Sequence, residues 1–299
     1  MSILSRLTPY GKVLVDEPMK KHTTYRIGGT VAYYIMPENE TALMCIFDIL
    51  NEENIPFHVI GRGSNILWDD DHFSGAIINL DKTLNEYYFE PDGILVAQAG
   101  CSIINLSIEA MKRSLTGFEF ASGIPGSIGG GLFMNAGAYK SNLSNLLIDV
   151  CVLRDGKIEW IKKEDLEYGY RHSLFQSHRD WTILAGRFQL EKGNQEDIRD
   201  LMASRRERRM ASQPLEMPCA GSVFRNPESI PAWKLIEDMG FRGYQLGGAK
   251  VSEKHCNFIV NATGEARSKD VHDLITCIQT KAKEEYGIDL ITEVESFHW

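Results

Sequence analysis

The 299-residue chain has no CxxC pair, and none of its six cysteines stands at a zinc-like spacing from a histidine. A structural metal site of the finger or ribbon type is therefore not expected. Cys45, Cys101, Cys151, Cys219, Cys256 and Cys277 read as reduced thiols of a cytosolic protein. No apolar run reaches ~18 residues, so no segment is expected to span a membrane. The opening MSILSRLTPY lacks the long apolar core of a signal peptide. Basic charge is in deficit: 32 Lys and Arg against 41 Asp and Glu leave a net charge of −9. That balance argues against nucleic acid or an acidic membrane as the main partner, while leaving room for a small anion held by local basic groups. The common phosphate fingerprints are missing as well. Gly61-Arg62-Gly63 lacks the third glycine of GxGxxG, and Gly126-Ser127-Ile128-Gly129-Gly130 lacks the Lys-Ser/Thr of a P-loop. A Rossmann domain and a P-loop NTPase are both disfavoured.

What the chain does have is concentrated glycine. Gly117 to Gly137 holds 7 of the 26 glycines, set among Ala, Ser and Asn. Glycine costs backbone entropy, so such a cluster needs a reason. A bland loop is one. Another is a backbone that approaches a ligand with no Cβ in the way, its N–H groups and a following helix start forming an anion site. A second glycine turn, Gly61 to Asn65, tips the reading toward a ligand: two turns can clamp one pyrophosphate from two sides.

Periodicity predicts mixed α and β structure in at least two blocks, with a boundary near 190–215. Helices are expected over Thr41–Glu53, from a Ser102 cap to about Arg113 with Ile103, Leu106, Ala110 and Met111 inward, and from about Asn194 through Ile198, Leu201 and Met202 to the arginines at 205, 206, 208 and 209. Two more are expected, between Pro231 and Gly240 and from a Ser268 cap to Gly287. Strands are expected at Phe57–Ile60, Gly75–Leu80, Ile94–Ala99, Trp181–Leu190, Asn257–Asn261 and Ile288–Ser296, with a hairpin over Asp149–Trp160 turning at Asp155-Gly156.

A series of segments carries a resemblance: HTTYRIGG (22–29), GRGSNIL (61–67), EFASGIPGSIGGGLFMNAGAY (119–139), YGYRHSLF (168–175), SQPLEMPCAGSVFRNP (212–227), GGAKVSEKHCNFIVN (247–261) and Glu293-Val294. In this order they resemble the MurB family, the flavin-dependent UDP-N-acetylenolpyruvoylglucosamine reductases of bacterial peptidoglycan synthesis. The short spacing from Arg171 to Ser222 is similar to the compact subtype, which lacks an inserted tyrosine-bearing loop. The resemblance implies an α+β fold. It would comprise a two-part FAD-binding region of the vanillyl-alcohol-oxidase (PCMH) type over 1–192, split near 85, and a smaller α+β substrate-binding domain over 193–299, whose last strand is free to return to the FAD region.

It also implies the reaction. NADPH reduces non-covalent FAD, and hydride passes to C3 of the enolpyruvyl ether of a UDP-sugar, giving UDP-N-acetylmuramate. Arg171 is implied at the substrate carboxylate, Ser222 as proton donor to C2, and Glu293 as the third catalytic group, with Glu295 a weaker candidate two residues on. FAD contacts are implied at Tyr25, Arg26, Gly61, Arg62, Gly63, Ser64 and Asn65, and at Gly123, Pro125, Gly126, Ser127, Gly129, Gly130, Asn135, Ala136, Gly137 and Ala138. Substrate contacts are implied at Arg225, Asn226, Lys254 and His255.

The residue chemistry agrees on its own terms. Negative charge develops at C2 and spreads into the carboxylate, which calls for a fixed cation and then a proton. Arginine offers a planar fork that keeps its charge. Taken alone, Arg171 would read as a surface ion pair, Ser222 as a turn residue and Lys254 and His255 as solvated loop residues. The rival readings are another FAD-dependent oxidoreductase of the same fold and a nucleotide-sugar-binding regulator without chemistry. A cytoplasmic monomer with no metal, no nucleic acid and no membrane insertion is expected.

Overall fold

The structure, a computed structural model, describes residues 2–297. The chain divides into two compact units: Met1–Val15, Tyr33–Arg62 and Ser74–Glu207 form the first, and Asp16–Ala32, Gly63–Phe73 and Arg208–Trp299 the second. These units do not follow the expected cut at 192. The helix Gln195–Ser212 carries the division in its interior, and two early segments fall in with the C-terminal block. The reason lies in the second unit's core. Tyr25, Ile27 and Leu67 are buried in one apolar cluster with Phe224, Leu235, Val251, Leu274 and Ile278, so burial overrides sequence order.

In the first unit a five-stranded antiparallel sheet runs in the order Lys157–Lys162, Leu147–Arg154, Thr182–Gln189, Ile94–Gln98, Tyr87–Phe89. Its central strands are apolar along most of their length because they are buried along most of it. The expected hairpin turns at Asp155 (φ 49°) and Gly156 (φ 69°), two left-handed residues whose twist matches a two-residue loop. The strand Phe57–Ile60 runs parallel to Phe73–Asn79 in a second sheet and leads straight into the first glycine turn. Helix Glu40–Glu52 starts at Asn39, whose side chain accepts the Ala42 N–H. Helix Ile103–Lys112 starts at Ser102, whose hydroxyl accepts the Asn105 N–H, as expected. Its buried face is Ile103, Leu106, Ser107 and Ala110, while Met111 is only half-buried.

The second unit packs helices Ala232–Asp238 and Ser268–Tyr286 with a three-stranded antiparallel sheet of Gln245–Leu246, Ala249–Val251 and Ile259–Asn261. Three expectations need correction. Helix Gln195–Ser212 buries only Ile198 and leaves Leu201 exposed, because its composition is mostly charged. Ser268 lies one residue inside its helix rather than at the cap. Arg267 holds the cap position, and the Asp270 carboxylate accepts the Arg267 N–H. The Ser268 hydroxyl accepts instead from the Asp70 N–H. Finally, Ile288–Ser296 is not one strand. Only Glu295–Phe297 is, running parallel to Ile66–Trp68, so Glu293 sits just before the strand, on chain that bonds elsewhere.

Candidate active site

The two glycine turns meet. A Cβ built on Gly61 would lie 2.1 Å from the Ser127 hydroxyl, and the Asn79 side chain pins the turn by donating to the Gly61 carbonyl at 2.7 Å. The glycines nevertheless serve different ends. Gly129 lies against Ala99 (a Cβ there would come within 3.0 Å), and Gly137 against the Ser141 carbonyl (2.3 Å); both are demanded by packing. A Cβ on Gly130 would meet nothing nearer than the Ser127 hydroxyl at 3.7 Å, and the residue is exposed. The helix Ile128–Met134 opens here, but the Ile128 and Gly129 N–H groups already donate to the Cys101 and Ala99 carbonyls. Its first donors are therefore occupied by the scaffold, against the expectation of a free helix start. Gly126 is likewise engaged, its carbonyl accepting from Ile103 N–H and its own N–H donating to Ile124. Pro125 is exposed and Gly123 half-buried beside it. Arg62 is exposed and ion-paired to Asp81 at 2.7 Å.

Past the helix, Asn135 takes a left-handed φ of 46° and is 2% exposed. Its amide donates to the Gly169 carbonyl and accepts the Ser144 N–H. That side chain serves the scaffold. Ala136 is bonded through both backbone groups, and Gly137-Ala138 pairs antiparallel with Ser141-Asn142.

Arg171 stands in a two-residue turn. The Gly169 N–H donates to the His172 carbonyl at 3.0 Å and the His172 N–H to the Gly169 carbonyl at 3.3 Å. Arg171 has φ 54°, a position that favours glycine or asparagine. Holding arginine there costs ~1–2 kcal/mol. One guanidinium nitrogen donates to the Gly137 carbonyl at 2.8 Å, tying the turn to the glycine segment.

The second unit brings Ser222 and Glu293 to adjacent backbone. Phe224 bridges Thr292 in antiparallel fashion, Glu293 N–H donates to the Val223 carbonyl at 2.7 Å, and Arg225 N–H to Ile291. Gly221, at φ 80° with no atom within 4 Å of a built Cβ, lets the chain turn ahead of Ser222. Buried Asn257 fixes the chain after it, accepting the Phe224 N–H at 3.0 Å and donating to the Phe224 carbonyl at 2.8 Å. The first glycine turn joins the same place, since the Asn65 amide donates to the Glu293 carbonyl and the Asn65 carbonyl accepts the Glu295 N–H. Half-buried Ser64 precedes it. At Gly63 (φ 60°), a Cβ would come within 2.0 Å of the His22 carbonyl, so packing bars any side chain here.

Arg26, at φ 55°, is exposed and follows Tyr25, which is fully buried. Burial drives the Tyr25 hydroxyl far above its usual pKa, and it finds no hydrogen-bond partner among the described residues; nor does the buried Nε of Arg225. Asn226 lends its side-chain oxygen to the Ala232 N–H, and Lys254 pairs with Glu216 at 3.5 Å. His255 lies against Phe258, and its Nδ1 accepts the Asn257 N–H at 3.2 Å. Burial, aided by the charge of Arg242, holds this imidazole below its ordinary pKa.

The residues present fit a flavin dinucleotide. In the first unit, exposed Gly130 leaves backbone open to a pyrophosphate; in the second, the orphaned Tyr25 hydroxyl is a buried polar atom that a bound group could satisfy. No group of acidic, histidine or cysteine side chains among the described residues could hold a metal. Two residues at the site escaped the sequence reading, Gln176 and Asn257. Both lie in or beside quoted segments, but nothing local marks an amide that will bond distant backbone.

Two family models match. A "FAD binding domain" covers residues 31–162, and the C-terminal domain of UDP-N-acetylenolpyruvoylglucosamine reductase covers 213–297. The UDP-N-acetylenolpyruvoylglucosamine reductase of Bacillus subtilis (strain 168) is 43% identical over 286 residues, 95% of this chain and 94% of that protein. The crystal structure of the enzyme of the same name from Thermus caldophilus superposes with a TM-score of 0.80 at 30% identity, covering 96% of this chain and 98% of that one. A berberine bridge enzyme variant shares the fold alone, at TM-score 0.50 and 14% identity over 65% of this chain and 44% of that one.

Proposed function

The chain belongs to the UDP-N-acetylenolpyruvoylglucosamine reductase family, and we propose that Arg171, Ser222 and Glu293 perform its chemistry. The enzyme is an FAD-dependent oxidoreductase of peptidoglycan precursor synthesis, and so serves cell-wall biogenesis, cell shape and division. It reduces UDP-N-acetylglucosamine enolpyruvate to UDP-N-acetylmuramate at the expense of NADPH. When bound, FAD supplies the redox chemistry, taking hydride from NADPH and giving it to C3 of the enolpyruvyl group.

The chain's own residues handle charge and proton. As C3 gains hydride, an electron pair is left at C2 and delocalises into the carboxylate. Arg171 binds that carboxylate two-pronged and stabilises its growing charge. Ser222 gives its hydroxyl proton to C2, which completes the addition of two electrons and two hydrogens across the double bond. Serine is a weak acid, so the step relies on how basic C2 has become. Glu293 lies one residue from the position across from Ser222 and orders that proton's path. Support comes foremost from the antiparallel meeting of residues 222–225 with 291–293, which gathers the proton donor and the carboxylic acid onto one piece of backbone.

Gly61, Ser127 and Gly130 are the leading contacts for the FAD pyrophosphate, with Tyr25, Arg26, Arg62, Gly63, Ser64 and Asn65 around the first turn. Arg225 faces the UDP diphosphate, with Asn226, Lys254 and His255 beyond it. Functionally, residues 1–192 hold FAD and 193–299 the substrate. Six free thiols suit a reducing cytoplasm, where UDP-sugars and NADPH are found, and the enzyme works there as a monomer. The test is NADPH consumption by the purified yellow protein. Turnover only with the enolpyruvyl sugar is expected; steady turnover with O₂ and an alcohol instead would overturn the reading in favour of an oxidase.

A further inference from the structure

We propose that Gln176 is a positioning residue for Arg171, a role that rests on reading Arg171 as the partner of the substrate carboxylate. The argument begins with strain. Arg171 holds a left-handed φ of 54° in a turn whose chemistry favours glycine or asparagine. Left to itself, Arg171 would relax by rotating about its own N–Cα bond, turning the peptide that precedes it and swinging its guanidinium away.

The peptide that follows, between Arg171 and His172, is held at both ends, which fixes the chain on the far side of the strained residue. Its N–H donates to the Gly169 carbonyl, which is itself anchored by the Asn135 amide at 2.8 Å. Its carbonyl, that of Arg171, accepts from Nε2 of Gln176 at 3.1 Å. The same Nε2 donates to the Phe133 carbonyl at 3.2 Å, in the last turn of helix Ile128–Met134. An amide nitrogen carries two protons, one for each carbonyl. Gln176 therefore couples the strained turn to the end of a helix that packs on the central sheet. No other natural side chain of that length carries two protons on one neutral nitrogen. Glutamate would set a carboxylate against two carbonyl oxygens, and methionine would offer no donor.

The consequence is specific to Arg171. Losing Gln176 leaves the arginine present but free to adopt other directions, and a displacement of about 1 Å at a charge-stabilising group costs on the order of 10²-fold in rate. The reduction of flavin by NADPH does not use the carboxylate and is left alone.

The experiment compares Q176M and Q176E with wild type, each also in an R171A background, all as FAD-loaded enzyme. Affinity of the oxidised enzyme for UDP-N-acetylmuramate, which carries the carboxylate, is measured by calorimetry. Reoxidation of reduced enzyme by the enolpyruvyl substrate is measured in single turnover. In the native background both variants are expected to bind product and reoxidise about 10-fold to 100-fold less well, with NADPH reduction unchanged. In the R171A background they are expected to change neither quantity by more than about twofold, since the residue they act through is gone. Equal losses in both backgrounds, or none in either, overturn the proposal, as does loss of FAD from both variants. If R171A itself binds product as tightly as wild type, the reading of Arg171 falls and the proposal with it. If R171A fails and Q176M is silent, the proposal alone falls.

Discussion

Arg171 and Ser222 are presented by opposite means. Arg171 sits on a strained backbone that Gln176, Asn135 and its own bond to Gly137 hold in place. Ser222 follows a glycine that adopts φ 80° without strain, and the chain is secured on either side of it, by the Thr24 hydroxyl on the Cys219 carbonyl and by Asn257 on Phe224. The difference matches the two tasks proposed for them. A guanidinium that must meet a planar carboxylate two-pronged has one useful direction. A hydroxyl that hands over a proton can rotate into line, so it needs a position but little more.

The largest effect that would sharpen this contrast is Ser222→Ala. Folding, FAD content and reduction by NADPH should be unchanged, while anaerobic reoxidation by the enolpyruvyl substrate falls roughly 10²–10⁴-fold. Reoxidation within a few-fold of wild type would take serine out of the mechanism and make Glu293 the leading proton donor. Next comes Arg171→Lys, expected to slow the same half-reaction by about 10²-fold because lysine loses the planar two-point contact. Its companion Arg171→Gly relieves the strain, so its melting temperature should not fall, although activity does. If stopped-flow shows Arg171→Lys impairing both half-reactions alike, Arg171 is structural and the contrast breaks.

A smaller effect separates the glycines. Gly130→Val adds bulk on the side where nothing but the Ser127 hydroxyl is near. The apoprotein should melt as wild type does, with FAD affinity weakened roughly tenfold or more, a loss above 1.4 kcal/mol. Gly63→Ala should instead destabilise the apoprotein, since its Cβ would collide with the His22 carbonyl. Equal FAD affinity in Gly130→Val and wild type would move the pyrophosphate elsewhere.

The smallest effect concerns His255. Burial lowers its folded-state pKa, so the unfolded chain takes the proton first as pH falls below ~6.5. Its contribution to stability is complete above that value and declines as pH drops toward the folded pKa. Melting temperatures at pH 7.5 and 5.5 should differ less in His255→Asn than in wild type. An identical difference would mean that this imidazole titrates normally.

Much of this was legible in the chain. The helix at 40–52 and the hairpin at 155–156 followed from local pattern, and the meeting of the two glycine turns followed from asking what two such turns could share. Other features depend on partners far along the chain. Asn135 reads like one more small polar residue in a glycine loop until Gly169 and Ser144 arrive from 34 and 9 residues away. Residues 288–294 have a strand's composition, but the backbone of 288 and 290 bonds back to helix Ser268–Tyr286, and that of 291–293 bonds residues 223–225 and the side chain of Asn65. Gln176 carries no local signal, because its importance lies in two carbonyls that only the folded chain places side by side.

The interleaving of the two units has a consequence for synthesis on the ribosome. Ile27, Leu67 and Trp68 emerge early, yet the core that buries Ile27 and Leu67 is built mostly from residues beyond 208, and Ile66–Trp68 pairs with the strand at 295–297. At ~5–20 residues per second, those apolar side chains wait for tens of seconds before their partners exist. The first unit has all of its own residues by Glu207, so the nascent chain passes through a stage with one finished body and two loose apolar loops. A trigger-factor-type chaperone that covers such loops would do most for this protein in the last third of its translation.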